Sequence, residues 1–127
     1  MRLPAVAAFL LSSLVPAAPA LAAPASPSLA KVGQCVTTRI KLIGTRLEGV
    51  ADSGDAIEYA NGIWGMSYEQ DPALRTARKG DPVKLCLTSL PKNCPKGDDR
   101  GKTYRAADLR THKSWEMPDS EHMCGGA

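Results

Sequence analysis

Hydrophobic and polar residues alternate along much of the chain after residue 35, and almost no stretch carries the i, i+3, i+4 spacing of an amphipathic helix. Val36, Thr38, Ile40 and Leu42 alternate with Thr37, Arg39 and Lys41, the period-two pattern of a half-buried strand. The alternation breaks at Ile43-Gly44, which marks a bulge or the strand's end. Val83, Leu85 and Leu87 alternate with Lys84, Cys86 and Thr88 in another strand. Residues 102–107 and 114–117 read as a last pair, joined through 108–113 and ended by Pro118.

The clearest local signal is Asn61-Gly62 between two apolar runs, the signature of a hairpin with a type I′ turn. A two-residue loop sets Tyr59 opposite Trp64 and Ile57 opposite Met66. It places Ile57, Tyr59, Trp64, Met66 and Tyr68 on one buried face, because side chains alternate along a strand. Asp71-Pro72 fits a helix N-cap followed by proline, and Gly80 a stop, so a short helix over 73–79 competes with a loop. Residues 91–101 hold two prolines and two glycines and read as a loop. These elements predict a mainly β domain, a small antiparallel β-barrel or sandwich with at most one short helix.

Ahead of the strands, Arg2 precedes an apolar run over 3–15 and a small-residue stretch containing Ala20-Leu21-Ala22. That is the three-part pattern of a secretory signal peptide. The run is shorter than the ~20 residues of a spanning helix, and Pro16 and Pro19 interrupt it. The expected division is a signal peptide over 1–22, a flexible tail over 23–34 and a domain over 35–127. The chain then works in the periplasm or is secreted.

Export changes how the four cysteines read. An even count in a short exported chain implies two disulfides, and the spacing of eight between Cys86 and Cys94 is too wide for a compact zinc ligand pair. Cys35 is in phase with Thr37 and Arg39, and Cys86 with Lys84 and Thr88, so both lie on polar strand faces. Cys94 and Cys124 sit in coil. The favoured pairing is Cys35–Cys86 with Cys94–Cys124; its rival is Cys86–Cys94 with Cys35–Cys124. The coil-to-coil bridge is expected to be reduced first.

The formal net charge of +3 is too small to mark a nucleic-acid binder, and export removes cellular nucleic acid as a partner. The basic residues cluster, however. From 92 to 113 there are seven (Lys92, Lys96, Arg100, Lys102, Arg105, Arg110, Lys113) against Asp98, Asp99 and Asp108. Tyr104 and Trp115 bracket part of the stretch. A binding surface for a protein or an anionic envelope component would use Arg100, Lys102, Tyr104, Arg105, Arg110, Lys113 and Trp115, with an ordinary solvated face as the competing reading. Asp98-Asp99 reads as an Asx turn rather than a cation site, since calcium needs ~6–8 oxygen ligands. No catalytic residue, metal or cofactor is expected: there is no phosphate loop, dinucleotide fingerprint or Gly-x-Ser-x-Gly elbow.

Cys35, the Asn-Gly hairpin, the run Gly80-Asp81-Pro82-Val83-Lys84-Leu85-Cys86-Leu87, the loop from Cys94 to Gly101 and the ending His122-Met123-Cys124-Gly125-Gly126-Ala127 resemble a family of small exported proteobacterial proteins of unassigned function. The resemblance implies an envelope location and brings no catalytic residues. The expectation is thus an exported, non-enzymatic binding or accessory domain. One alternative is a small hydrolase using His122 with a nearby serine or carboxylate. Another is a structural or cell-wall-binding envelope module.

Overall fold

A computed structural model describes residues 14–19 and 29–126. Residues 14–19 are exposed coil; the rest of the expected leader and its cleavage point lie outside the described residues. Six strands follow: β1 (Cys35–Thr45), β2 (Asp55–Tyr59), β3 (Trp64–Ser67), β4 (Pro82–Ser89), β5 (Thr103–Asp108) and β6 (Ser114–Pro118). They form one antiparallel sheet in the order β3-β2-β1-β4-β5-β6, curled into a half-barrel around the core. No helix among the described residues is long and apolar enough to cross a membrane.

The long strand β1 joins the two halves of the sheet. Its first half pairs with β4, from Cys35↔Cys86 to Arg39↔Pro82, and its second half with β2, from Ile40↔Tyr59 to Thr45↔Asp55. The register shifts between Ile40 and Leu42, where the chain passes from one half to the other. Such a bulge bends a strand and changes its alternation. Ile40 is buried and Ile43 packs against the core, whereas Leu42 between them turns outward and is 44% exposed. The break read at Ile43-Gly44 thus lies slightly earlier, and the strand continues through it.

Inward residues of β4, β5 and β6 alternate as their patterns predict: Val83, Leu85 and Leu87, then Tyr104 and Ala106, then Trp115 and Met117. The sheet curls far enough to bring its end strands together. A Cβ on Gly65 of β3 would lie 3.3 Å from the Cβ of Met117 in β6 and 2.8 Å from Cγ2 of Ile57, so only glycine allows this approach.

The hairpin differs from its predicted form by one residue. Tyr59 N donates to Ile63 O (2.9 Å) and Gly62 N to Tyr59 O (2.9 Å), which closes a three-residue loop. Gly62 has φ +86°, while Asn61 is not among the positive-φ residues, so the type I′ turn does not form. The register becomes Glu58↔Trp64, Ile57↔Gly65 and Ala56↔Met66. One residue of slip exchanges the two faces of a strand. Ile57 and Tyr59 therefore enter the core, while Trp64 and Met66 stand half-buried on the outer face.

Two further expectations change. The segment after Asp71 makes a single 3₁₀ turn, Pro72–Arg75, capped by Asp71 Oδ1 accepting from Ala73 N at 2.9 Å. Leu74 is its one buried residue, and without a longer apolar stripe the turn gains nothing from continuing. The stretch before β1 is not a free tail throughout. Leu29 is buried in the core, and Gln34 Oε1 accepts from Ala30 N (2.9 Å) and Lys31 N (2.8 Å).

Both disulfides are the favoured ones, Cys35–Cys86 and Cys94–Cys124, and no free cysteine remains. The first joins register partners across β1 and β4. The second ties the 91–101 loop to the C-terminal tail. Two disulfides in a chain of this size are the usual mark of an oxidising compartment.

Candidate functional site

The basic stretch does not assemble into a patch with aromatic residues. Tyr104 and Trp115 are core residues, and the Trp115 indole Nε1 donates to the Tyr59 hydroxyl at 2.8 Å. Burial pushes the Tyr104 hydroxyl up from its ordinary value, helped by Asp119 and Asp99. Three of the cations are held by carboxylates. Arg100 makes two 2.8 Å bonds to Asp98, whose other oxygen contacts include Gly125 N at 3.0 Å. These bonds hold Asp98 well below the usual carboxylate range and raise Arg100. The Asp98-Asp99 loop is an Arg-anchored turn.

Lys102 approaches Asp99 at 3.6 Å. Arg110 grips Asp81 through Nε (2.7 Å) and NH2 (2.9 Å) and reaches Thr76 O at 2.6 Å. Hydrogen bonding from Arg110 draws Asp81 down to about 2, and the same pair raises Arg110. Among the described residues Lys92, Lys96, Arg105 and Lys113 are exposed without an ion pair, and Arg105 donates to Ser114 Oγ at 3.0 Å. The arrangement fastens loops to the sheet.

Nor do the histidines meet a nucleophile. His112 occupies the β5–β6 turn at φ +61°, with its backbone N donating to Asp108 O. His122 is exposed, and Ser120 Oγ donates to its backbone oxygen (2.7 Å), not to its ring. Ser114 bonds Arg105, and Ser89 is exposed at the end of β4. All four thiols are bridged. Among the described residues no group of three or more His, Cys, Asp or Glu is arranged to hold a metal ion. A cleft between Ser67, Gln70 and Glu116 brings Glu69 and Asp71 close, but Asp71 is committed to its cap.

A larger and more apolar cleft lies elsewhere, on the outer face of β1, β2 and β3. Leu42 and Gly44, Glu58 and Ala56, and Trp64 and Met66 share that face by register. Gly44 and Ala56 form a low floor; Leu42, Trp64 and Met66 form the walls; and Arg46, Glu48 and Gly49 rim a cleft of about 430 Å³. The rim is apolar beyond the cleft, with Leu47 44% and Val50 49% exposed.

Arg46 gives this rim its shape. Its Nε donates to Ser53 O at 2.7 Å, its NH1 lies 3.4 Å from Glu121, and its guanidinium stacks 4.2 Å from the Tyr68 ring centroid. Tyr68 in turn donates from its hydroxyl to Glu121 O at 3.2 Å. Ser53 Oγ accepts from Leu47 N (2.9 Å) and donates to Val50 O (2.7 Å), fixing the 46–53 loop beside the cleft. At the opposite end Lys41 pairs with Glu58 at 2.7 Å. The cleft is therefore apolar inside, with Arg46, Lys41 and Glu58 at its border partnered and Glu48 exposed on the rim without a partner among the described residues.

Sequence reasoning missed this site because it depends on two one-residue irregularities, the β1 bulge and the three-residue hairpin loop. The broken alternation at Leu42-Ile43-Gly44 was the one signal pointing to it. No family model, curated protein or solved structure matches the chain.

Proposed function

We propose that the chain is an exported, disulfide-stapled binding module of the bacterial envelope. Its contact face is the outer trough of β1–β3, and its partner is a protein presenting an apolar side chain to that trough. The observation that carries this reading is the placement of Leu42, Trp64 and Met66 together on the solvent side of the sheet. An antiparallel sheet with one packed face normally shows polar residues on the other, and a contiguous apolar patch there marks a contact site. An open trough with apolar walls, its one unpartnered charge Glu48 standing on the rim, offers little to a small polar ligand. The flanking Leu47 and Val50 extend the apolar surface beyond what one small molecule would cover. The two disulfides and the leader-like pattern at the N-terminus support the exported location.

A photo-crosslinking residue at Met66, used in the chain's own envelope extract, tests the reading. One discrete protein adduct is expected, lost on Leu42→Asp and kept on Arg105→Glu, with both variants folded by circular dichroism. An adduct pattern unchanged by Leu42→Asp, or lost on Arg105→Glu, would move the contact face off the trough.

A further inference from the structure

We propose that Cys35–Cys86 is an exchange-active disulfide, its Cys35 sulfur taking the thiolate of a dithiol reductant and Cys86 leaving as a thiolate. The two bridges have different surroundings. Cys35 and Cys86 are register partners on the solvent face of β1 and β4, with Cys35 exposed and Cys86 half-buried. Cys94 of the 91–101 loop and Cys124 of the C-terminal tail are both half-buried, the tail held by Cys124 N to Arg100 O (2.9 Å), Asp119 N to Lys102 O (2.8 Å) and Gly125 N to Asp98. Exchange needs a sulfur that a thiolate can reach, and Cys35 is the one exposed residue of the four bridged cysteines.

The charges around the bridge suit the second half of the step. Arg105 of β5 stands directly opposite Cys86, and Lys84 lies two residues before Cys86 on the same face of β4. Directly opposed side chains have Cβ atoms only ~4.5–5.5 Å apart. Neither cation forms an ion pair among the described residues. The acid of that row, Glu116, is one strand farther from the sulfurs, opposite Arg105. Cations beside a sulfur stabilise its thiolate and make it a better leaving group, and they attract the incoming anion.

In the first step the reductant's thiolate bonds to Cys35 Sγ as the Sγ–Sγ bond breaks. The electron pair leaves on Cys86 Sγ, which then takes a proton. The reductant's second thiolate attacks its own sulfur in the mixed disulfide, and Cys35 leaves as a thiolate that is protonated in turn. The dithiol becomes a disulfide, and the two cysteines gain two electrons and two protons. The strands need not part, because the ladder continues past the bridge: Leu87 N donates to Gln34 O (2.9 Å) and Gly33 N to Leu87 O (2.8 Å). Access and charge thus reverse the order of reduction expected from coil flexibility alone.

Limiting dithiothreitol on the folded protein, followed by alkylation and peptide mapping, reads the order directly. Cys35 and Cys86 should be labelled about tenfold or more ahead of Cys94 and Cys124. Excess glutathione should be caught on Cys35. Replacing both cations, Lys84→Gln with Arg105→Gln, should slow this opening several-fold and leave the Cys94–Cys124 rate unchanged, which also controls for folding. Prior opening of Cys94–Cys124, simultaneous opening of both bridges, glutathione on Cys86, or an unchanged rate in the double variant would overturn the proposal.

Discussion

Tyr59 of β2 and Trp115 of β6 meet inside the half-barrel, where the indole Nε1 donates to the phenol oxygen at 2.8 Å and both residues are almost wholly buried. The bond joins the second strand of the sheet order to the last, across the half-barrel, so it reports on closure of the curl. Burial pushes the Tyr59 hydroxyl far above its ordinary value, and the Trp115 bond offsets part of that. Removing one partner leaves a buried polar group without a bond, which costs ~1–3 kcal/mol. Tyr59→Phe and Trp115→Phe should each destabilise, and the double variant should cost less than their sum by ~0.5–3 kcal/mol, read from urea melts. Additive losses would mean that the two groups do not interact.

The chain has two tryptophans, and the structure gives them opposite environments. Trp115 is buried, whereas Trp64 stands half-buried in the trough wall. In a Trp115→Phe background, Trp64 emission should be quenched strongly by iodide; in a Trp64→Phe background, Trp115 should be protected. Trp64→Ala should cost clearly less than the ~3–5 kcal/mol of a core aromatic truncation. Protection of Trp64 equal to that of Trp115 would return it to the core and remove the trough.

The strands were legible wherever strict alternation held. Lys84, Cys86 and Thr88 against Val83, Leu85 and Leu87 identified both the inner face of β4 and the side on which its cysteine lies. The same phase argument at Cys35 gave the correct bridge. Trp115 was also legible, since it alternates with Ser114 and Glu116, but its closeness in sequence to Arg110 and Lys113 suggested a surface role. What could not be read was loop size. Asn61-Gly62 suits a two-residue loop with both residues left-handed and a three-residue loop with only Gly62 so, and the choice decides which face Trp64 and Met66 occupy. The β1 bulge has the same effect on Leu42. The candidate site exists because both irregularities fall on adjacent strands.

Acid should destabilise the fold through Asp81. Its carboxylate accepts from Arg110 Nε and NH2 and from Arg78 N, and is drawn down to about 2 from an ordinary 3.8. A group whose folded value is lowered adds stability above its unfolded value, and that contribution is lost as pH falls through the folded one. The urea midpoint should therefore hold steady from neutral pH down to about pH 4 and fall between there and about pH 2. Asp98, lowered by Arg100 and Gly125 N, acts in the same direction. Arg110→Gln should return the Asp81 carboxyl titration, followed by NMR, towards the ordinary range. An unmoved titration would show that Arg110 is not the cause.

The seam between β3 and β6 should depend on Gly65 for a reason different from that at Gly62. At Gly62 an added Cβ meets nothing within 4 Å, and the difficulty is the left-handed backbone at φ +86°. Alanine there should cost ~1–2 kcal/mol through conformation alone. At Gly65 the backbone is unremarkable, but a Cβ would stand 2.8 Å from Ile57 Cγ2, 3.3 Å from Met117 Cβ and 3.4 Å from Met117 Sδ. Both neighbours belong to the core, so the added methyl overpacks it, typically at ~1–3 kcal/mol. Relief should come from removing the clashing methyl: Ile57→Ala, which deletes Cγ2, combined with Gly65→Ala should be less destabilising than the two changes summed. Ile57→Ala should not relieve Gly62→Ala, because the loop glycine touches none of the same atoms. Chemical denaturation of the single and double variants separates the cases. Equal coupling of Ile57→Ala to both glycine substitutions would mean that the end strands are not held together at Gly65.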